Sequence, residues 1–336
     1  MKITFYCLLL PCILTLNISF SQNQYVEQQS GVTVSLNSVY AISKGQYAYI
    51  CGSNGTVLKT DNSGAEWVNV SGNGIPSNIE LVNICCADYQ IAITAGYIGS
   101  KTFVYRTTNG GDIWMQVFEQ ADGFINGVYL SVWQAGFICG NPVGGRWSLW
   151  KTSNNGLNWD SAGMYLPQSG SESGWNNAMI VSNDNIAFGT NNSRIYYSSD
   201  FGSSWGIQST GSEINSRMVW INTNNSFTCT GGTNLLATTD GGNYWKDLSA
   251  PGNGTIMGYT DDGLGGGEFP PARAWFVRND NTIYASQMGG AWEAVYTAPD
   301  GNYNHIDPHA WGYAYAVRSN GGITRIFLHD YRTYGK

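Results

Sequence analysis

The chain has 336 residues, of which 42% are hydrophobic and only 12% charged, with 43 glycines and 9 prolines. So few charges on so apolar a chain exclude a disordered protein, and the glycines suit many tight turns between short strands. Sixteen basic residues against 23 acidic ones, net −7, exclude a nucleic-acid partner or an anionic membrane surface, each of which needs a basic patch.

Residues 1–21 read as a secretory leader. Lys2 precedes an apolar run from Ile3 to about Leu16, and small residues, Ser19 and Ser21, close the segment. The run is too short to span a bilayer, and no later stretch reaches that length. Cleavage after Ser21 predicts a secreted, periplasmic or cell-surface protein of residues 22–336, forming one domain and no transmembrane segment. Loss of Lys2 leaves 15 basic residues and a net charge of −8.

Beyond the leader, Tyr25 to Gln29 reads as a lone strand. Three short strands then follow, Val39–Ile42, Tyr47–Cys51 and Thr56–Lys59, before the first copy of a repeated octet: Thr/Ser, any, Asp/Asn, any, Gly, any, any, Trp. The copies run Thr60–Trp67 with Asn62, Thr107–Trp114 with Asn109, Thr152–Trp159 with Asn154, Ser198–Trp205 with Asp200, and Thr238–Trp245 with Asp240. A degraded sixth copy ends at Trp292. The steps from Trp to Trp are 47, 45, 46, 40 and 47 residues. The Asp or Asn can accept hydrogen bonds from N–H groups of its own turn, the Gly supplies a positive φ, and the Trp gives a large plate to wedge between sheets. The motif is a turn with an anchor, and it carries no chemistry of its own.

Each unit of about 45 residues holds four strands, the size of a propeller blade. A seventh unit starts near Tyr303, contains Tyr313–Arg318 and Ile323–Phe327, and has no octet. The Tyr25–Gln29 strand resembles the one after each Trp, so it is expected to complete the seventh blade and close the ring. Residues 328–334 are the competing source of that strand, and a six-bladed ring is the second choice.

Five cysteines follow the leader. Cys51, Cys139 and Cys229 recur at equivalent places and read as small buried core residues, while a disulfide through Cys85 or Cys86 stays open. Three polar constellations stand out. Asp261, Asp262 and Glu268 lie in a long insertion whose oxygen ligands would suit Ca2+, against the reading of a solvated loop. His305, Asp307 and His309 share one side if extended and form a metal-capable set, although Pro308 argues against a regular strand. The stretch Tyr165–Trp175 reads as a second long loop. Trp133, Trp147, Trp175 and Trp220, outside the octets, read mostly as plates between blades, against the alternative of stacking on sugars or anchoring a protein partner.

The octets resemble the Asp-box (BNR) repeats of sialidases, sortilin-type receptors and secreted propellers. Together with the recurring Cys-Gly of Cys51-Gly52 and Cys139-Gly140, they look most like the photosystem II stability/assembly-factor family and its secreted bacterial relatives, over residues 24 to about 327. The resemblance implies an all-β, seven-bladed propeller with its Asp boxes at the blade periphery, and a protein partner. Sialidase chemistry does not carry over: there is no Arg-Ile-Pro, and no arginine precedes Arg106 to build a carboxylate clamp. No catalytic set and no cofactor site emerge. The function expected is a non-enzymatic binding or assembly scaffold for a protein or glycan. The alternative is a carbohydrate-active hydrolase or lyase at the channel mouth, which would need two carboxylates converging on the face opposite the octets.

Overall fold

The computed structural model describes residues 24–211, 215–221, 228–261, 273–287, 290–307 and 312–327. The expected leader, residues 1–21, lies outside them. The described residues form strands and one 3-10 turn, Ser43–Gly45. None of the described helices is long and apolar enough to cross a membrane.

Seven antiparallel sheets form a ring. Their innermost strands, in order, are Leu36–Ile42, Glu80–Cys86, Ile125–Leu130, Gly174–Ser182, Met218–Ile221, Ile256–Asp261 and Tyr303–Ile306. Each contacts the innermost strand of the next blade, and the seventh contacts the first. Six sheets have four strands. The seventh blade takes its outer strand from the N-terminus, with Tyr25 opposite Ile326 and Gln28 opposite Ile323. That is the closure expected from the sequence. In the third blade the outer strand is reduced to two isolated bridges, Lys151 with Asp160 and Arg146 with Pro167. The chain loops out between them, and Met164 and Leu166 pack as buried residues with Trp147 and Leu149.

The repeated octets fold as one hydrogen-bonded turn five times over. In the second, the Thr107 hydroxyl donates to Asn109 Oδ1 and accepts the N–H of Asn109 and of Gly111, while Asn109 Oδ1 accepts the N–H of Ile113. The same bonds recur around Asn62, Asn154, Asp200 and Asp240. The glycine of each turn has positive φ, from 74° at Gly64 to 92° at Gly111. The sixth copy keeps only a variant, in which the Ser286 hydroxyl donates to Gly290 O. Each Trp packs toward the preceding blade. Trp67 meets Tyr315 edge-on at 5.3 Å, and Trp114 donates its indole N–H to Val70 O at 3.1 Å. Trp205 lies 6.1 Å from Phe137. Trp159, Trp245 and Trp292 join the apolar clusters between blades in the same way.

The second-strand glycine opposite the start of the innermost strand in several blades has a different cause. A Cβ at Gly52 would sit 2.1 Å from Ser35 O, and one at Gly96 would sit 2.3 Å from Glu80 O. The chain entering each blade crosses too close for any side chain there.

Cys51 and Cys139 are buried core residues, as their positions predict; the Cys229 side chain lies outside the description. Cys85 and Cys86 are free buried thiols, so neither forms the disulfide left open above. Adjacent residues of a strand point to opposite faces, and these two enter the cores on either side of the second blade. Burial pushes the Cys85 thiol up to about 12 and raises those of Cys51, Cys86 and Cys139 as well. The thiolate is the reactive form. All four should therefore resist iodoacetamide in the native protein and react fully in denaturant, read by peptide mass spectrometry; native labelling at any of them contradicts this packing.

Candidate binding mouth of the central channel

The innermost strands share an irregularity that sequence reading missed. In five of them a residue near the start, the second or third, is an extra one, bulged out of register with the neighbouring strand. Leu36 faces Gly52 and Ser38 faces Cys51, so Asn37 is left over. Val82, Asn126, Met257 and Asn304 are left over in the same way. Bulges turn side chains out of the pleat and gather at rims and sites. In the fourth blade the effect is larger. Gly174 faces Thr190 and Met179 faces Phe188, so the inner strand runs five residues while its partner runs two. The surplus carries Trp175, Asn176 and Asn177 toward the axis, with Asn177 at φ 62°.

All of these but Asn126 line a cavity of about 350 Å³ at one end of the channel, shared with Glu80, Tyr97 and Arg217. The volume is at the small end of ligand pockets. Within a blade the first and third strands run the same way. The repeated turn, at the end of the third strand, therefore lies on the face opposite the cavity, which gathers at the starts of the first strands.

Part of the polar lining is committed internally. Asn304 Nδ2 donates to Leu36 O at 2.9 Å, and Asn37 Nδ2 donates to Leu81 O at 2.8 Å, each tying its blade to the next. Asn37 Nδ2 also reaches Glu80 Oε1 at 2.7 Å, and Ser53 Oγ donates to the same oxygen at 2.8 Å. Asn177 crosses the axis. Its Nδ2 donates to Asn37 O at 3.0 Å, and its Oδ1 accepts the Ser38 hydroxyl at 2.9 Å. This strut from the fourth blade to the first floors the mouth. Beneath it lies a second space of about 40 Å³, also bordered by Asn177 and His305.

Arg217 differs from the carboxamides. Its guanidinium carbon stands 3.7 Å from the centre of the Trp175 ring, a cation–π stack. It forms no ion pair with any described carboxylate. Partial burial lowers its pKa without approaching neutrality. Glu172 holds the approach to Trp175. Its buried carboxylate accepts from Arg194 Nη1 at 3.1 Å and from the Tyr196 hydroxyl at 2.7 Å. Gly174 N–H donates to Asn141 Oδ1 at 2.8 Å. The expected loop Tyr165–Trp175 is thus anchored at Glu172, and Gly174 and Trp175 begin the inner strand.

None of the described metal candidates, His305, Asp307 and Asp261, lines the mouth. His305 is buried on the small lower space, where its Nδ1 accepts the Val39 N–H at 3.3 Å. Asp307 is fully buried, with its N–H on Tyr315 O. Asp261 ends its inner strand opposite Ala274, at the end of the blade away from the mouth. His309, Asp262 and Glu268 lie outside the described residues. Among the described residues no three His, Cys, Asp or Glu side chains gather as a metal ion would require. Of the four extra tryptophans, Trp147 and Trp220 are buried plates. Trp175 stands at the mouth because the surplus in its strand carries it there, and Trp133 is 85% exposed at a turn tip.

No family model and no curated protein matches the sequence. Solved structures do match. One described as YCF48 bound to D1 peptide gives a TM-score of 0.71 at 14% identity, over 92% of this chain and 98% of that one. YCF48 from Cyanidioschyzon merolae gives 0.68 at 15% identity, over 90% and 99%. The GH74 enzyme of Niastella koreensis gives 0.63 at 13% identity, over 92% of this chain but only 54% of that one. At such identities the likeness establishes a shared propeller fold and nothing finer.

Proposed function

We propose that this chain is a secreted, non-enzymatic binding scaffold that takes an extended segment of a protein partner into the axial mouth. The observation that carries the reading is the chemistry of that mouth. It offers a stacked cation, aromatic rings and carboxamides, and among the described residues a single carboxylate, Glu80. A glycosidase needs two carboxylates flanking the scissile bond, and Asp261 lies at the other end of its blade. The structure described as YCF48 bound to D1 peptide shares the fold at TM-score 0.71, and a peptide ligand here is consistent with it. The five hydrogen-bonded turns have the bonding an Asp box requires, and we assign them to that class as peripheral structural devices. Secretion rests on the leader-like residues 1–21.

The test is retention of the purified protein on peptide and glycan arrays, with mass spectrometry of the sugars after incubation. Asn176 is exposed at the mouth and makes no hydrogen bond to a described residue, so Asn176→Trp fills the space without disturbing the core. The expected result is peptide retention that disappears in Asn176→Trp. Peptide retention unchanged by the filling moves the site elsewhere, and release of sugar products overturns the scaffold reading.

A further inference from the structure

The groups at the mouth divide into those already satisfied and those left to a ligand. Asn37 and Asn304 spend their amide hydrogens on the next blade, and Asn177 donates across the axis to the first. The side chains of Arg217 and Asn176 and the Tyr97 hydroxyl make no hydrogen bond to any described residue, and both bonds to Glu80 fall on Oε1, leaving Oε2 without one. Arg217 is the one cation and Glu80 the one carboxylate among the described lining residues. They stand on the fifth and second blades, nearly opposite each other in a ring of seven, and do not pair.

Resting on the peptide-binding reading above, we propose that Arg217 is the anchor for a carboxylate of the bound peptide. Trp175 holds the guanidinium flat, so its forked N–H edge is already oriented when the anion arrives, and little rotamer freedom is lost on binding. One cation balances one monoanion. A phosphate dianion would lack a second cation and would face Glu80 across the mouth. Glu80 Oε2 takes an N–H from the same ligand on the opposite wall. The ligand is therefore dipolar across the mouth, with an acidic group on the fifth blade and a donor on the second. The carboxylate belongs either to an Asp or Glu side chain or to a peptide C-terminus, and the chemistry at Arg217 is the same for both.

The experiment is a random peptide array in two forms, one with free C-termini and one tethered through the C-terminus, probed with the wild type and Arg217→Gln. Trigalacturonate, titrated calorimetrically, is the sugar probe. The wild type should enrich peptides bearing Asp or Glu on both forms, or any peptide with a free C-terminus on the first alone, which separates the two sources. Arg217→Gln should bind the winners roughly tenfold to a hundredfold more weakly, the span of one charge-assisted pair, and lose the acidic preference. Arg217→Lys should recover only part of the loss, because an ammonium lacks the fork. Arg217 is only half-buried, and circular dichroism of each variant checks that it is folded. Enriched peptides with no acidic preference, or a preference unchanged in Arg217→Gln, overturn the carboxylate anchor while peptide binding stands. No peptide enriched by the wild type overturns the peptide reading itself. Trigalacturonate bound more tightly than any peptide, in an Arg217-dependent manner, reassigns the anchor to an acidic sugar and overturns the proposal as stated.

Discussion

Replacing Glu27 by alanine is expected to destabilise the protein by about 3 kcal/mol, the cost of breaking a largely buried ion pair from one side. Glu27 sits on the strand Tyr25–Gln28 that closes the ring. Its carboxylate accepts Nη1 and Nη2 of Arg318, the Thr324 hydroxyl at 2.7 Å and the Tyr296 hydroxyl at 2.9 Å. Arg318 is 2% exposed, so without Glu27 a guanidinium stays buried and uncompensated. Tyr25 stacks on Tyr296 at 5.3 Å and accepts the Trp275 indole N–H, so losing the latch also loosens the junction with the sixth blade. Burial alone would raise the Glu27 pKa; the bonds from Arg318 and Thr324, the Arg318 charge and the Tyr296 bond outweigh it and hold it below the usual carboxylate range. A carboxyl with a depressed pKa in the folded state stabilises fully above its unfolded pKa and loses that contribution as pH falls through its folded value. Urea midpoints of the wild type and Glu27→Gln should therefore differ most at about pH 7, and the gap should shrink as the pH is lowered through the carboxylate range. A gap that is flat across that range would place the stability of the closure elsewhere, in the strand pairing itself.

That closure was legible in the sequence because it depends on a local pattern. Tyr25–Gln28 has the look of an outer strand and no unit of its own, and the seventh unit lacks one. The turns were legible for the same reason: the hydrogen bonds of the Thr107 and Asn109 side chains all run between residues no more than four apart. The loop that splits the outer edge of the third blade between Asp160 and Pro167 was not legible, because the burial of Met164 and Leu166 that shapes it is a tertiary event. The mouth was illegible for a deeper reason. Asn37, Met257 and Asn304 reach the axis only because one strand has an extra residue relative to its neighbour, and register between strands leaves no mark within either strand alone. Set side by side, Leu36-Asn37-Ser38, Ile256-Met257-Gly258 and Tyr303-Asn304-His305 do show the signal, an apolar residue, the bulged one and then a small or polar one. Trp175 was singled out for being aromatic and misplaced because the three-residue surplus in its strand has no counterpart in the other repeats. Arg217 gave no signal, since a lone arginine before a short strand is common.

Truncating Arg278 should cost more than losing the latch, roughly 4 kcal/mol for Arg278→Met. Arg278 ends the second strand of the sixth blade opposite Ile256, the place Arg318 takes in the seventh and glycine takes at Gly52 and Gly96. Where those glycines let the entering chain cross against the strand, Arg278 captures that chain instead. Its Nε donates to Pro251 O at 2.7 Å, Nη1 to Gly254 O at 2.6 Å and to Thr233 O at 3.1 Å, and Nη2 to Ala250 O at 3.1 Å. The side chain is 2% exposed, so removing it leaves four carbonyls facing a space that the methionine fills with carbon. Each buried carbonyl without a donor costs about 1–3 kcal/mol. Relief from burying a charge offsets part of the sum, which brings the total to the figure given. Arg278→Lys separates the two contributions. It keeps the charge but gathers its three donors at one point, which cannot serve carbonyls from residues 233, 250, 251 and 254 together. Lysine should therefore recover less than half of the loss in urea titrations, and hydrogen exchange should quicken first in the connection 250–254 between the fifth and sixth blades. Full rescue by lysine would mean that charge, not the fan of hydrogen bonds, holds that junction.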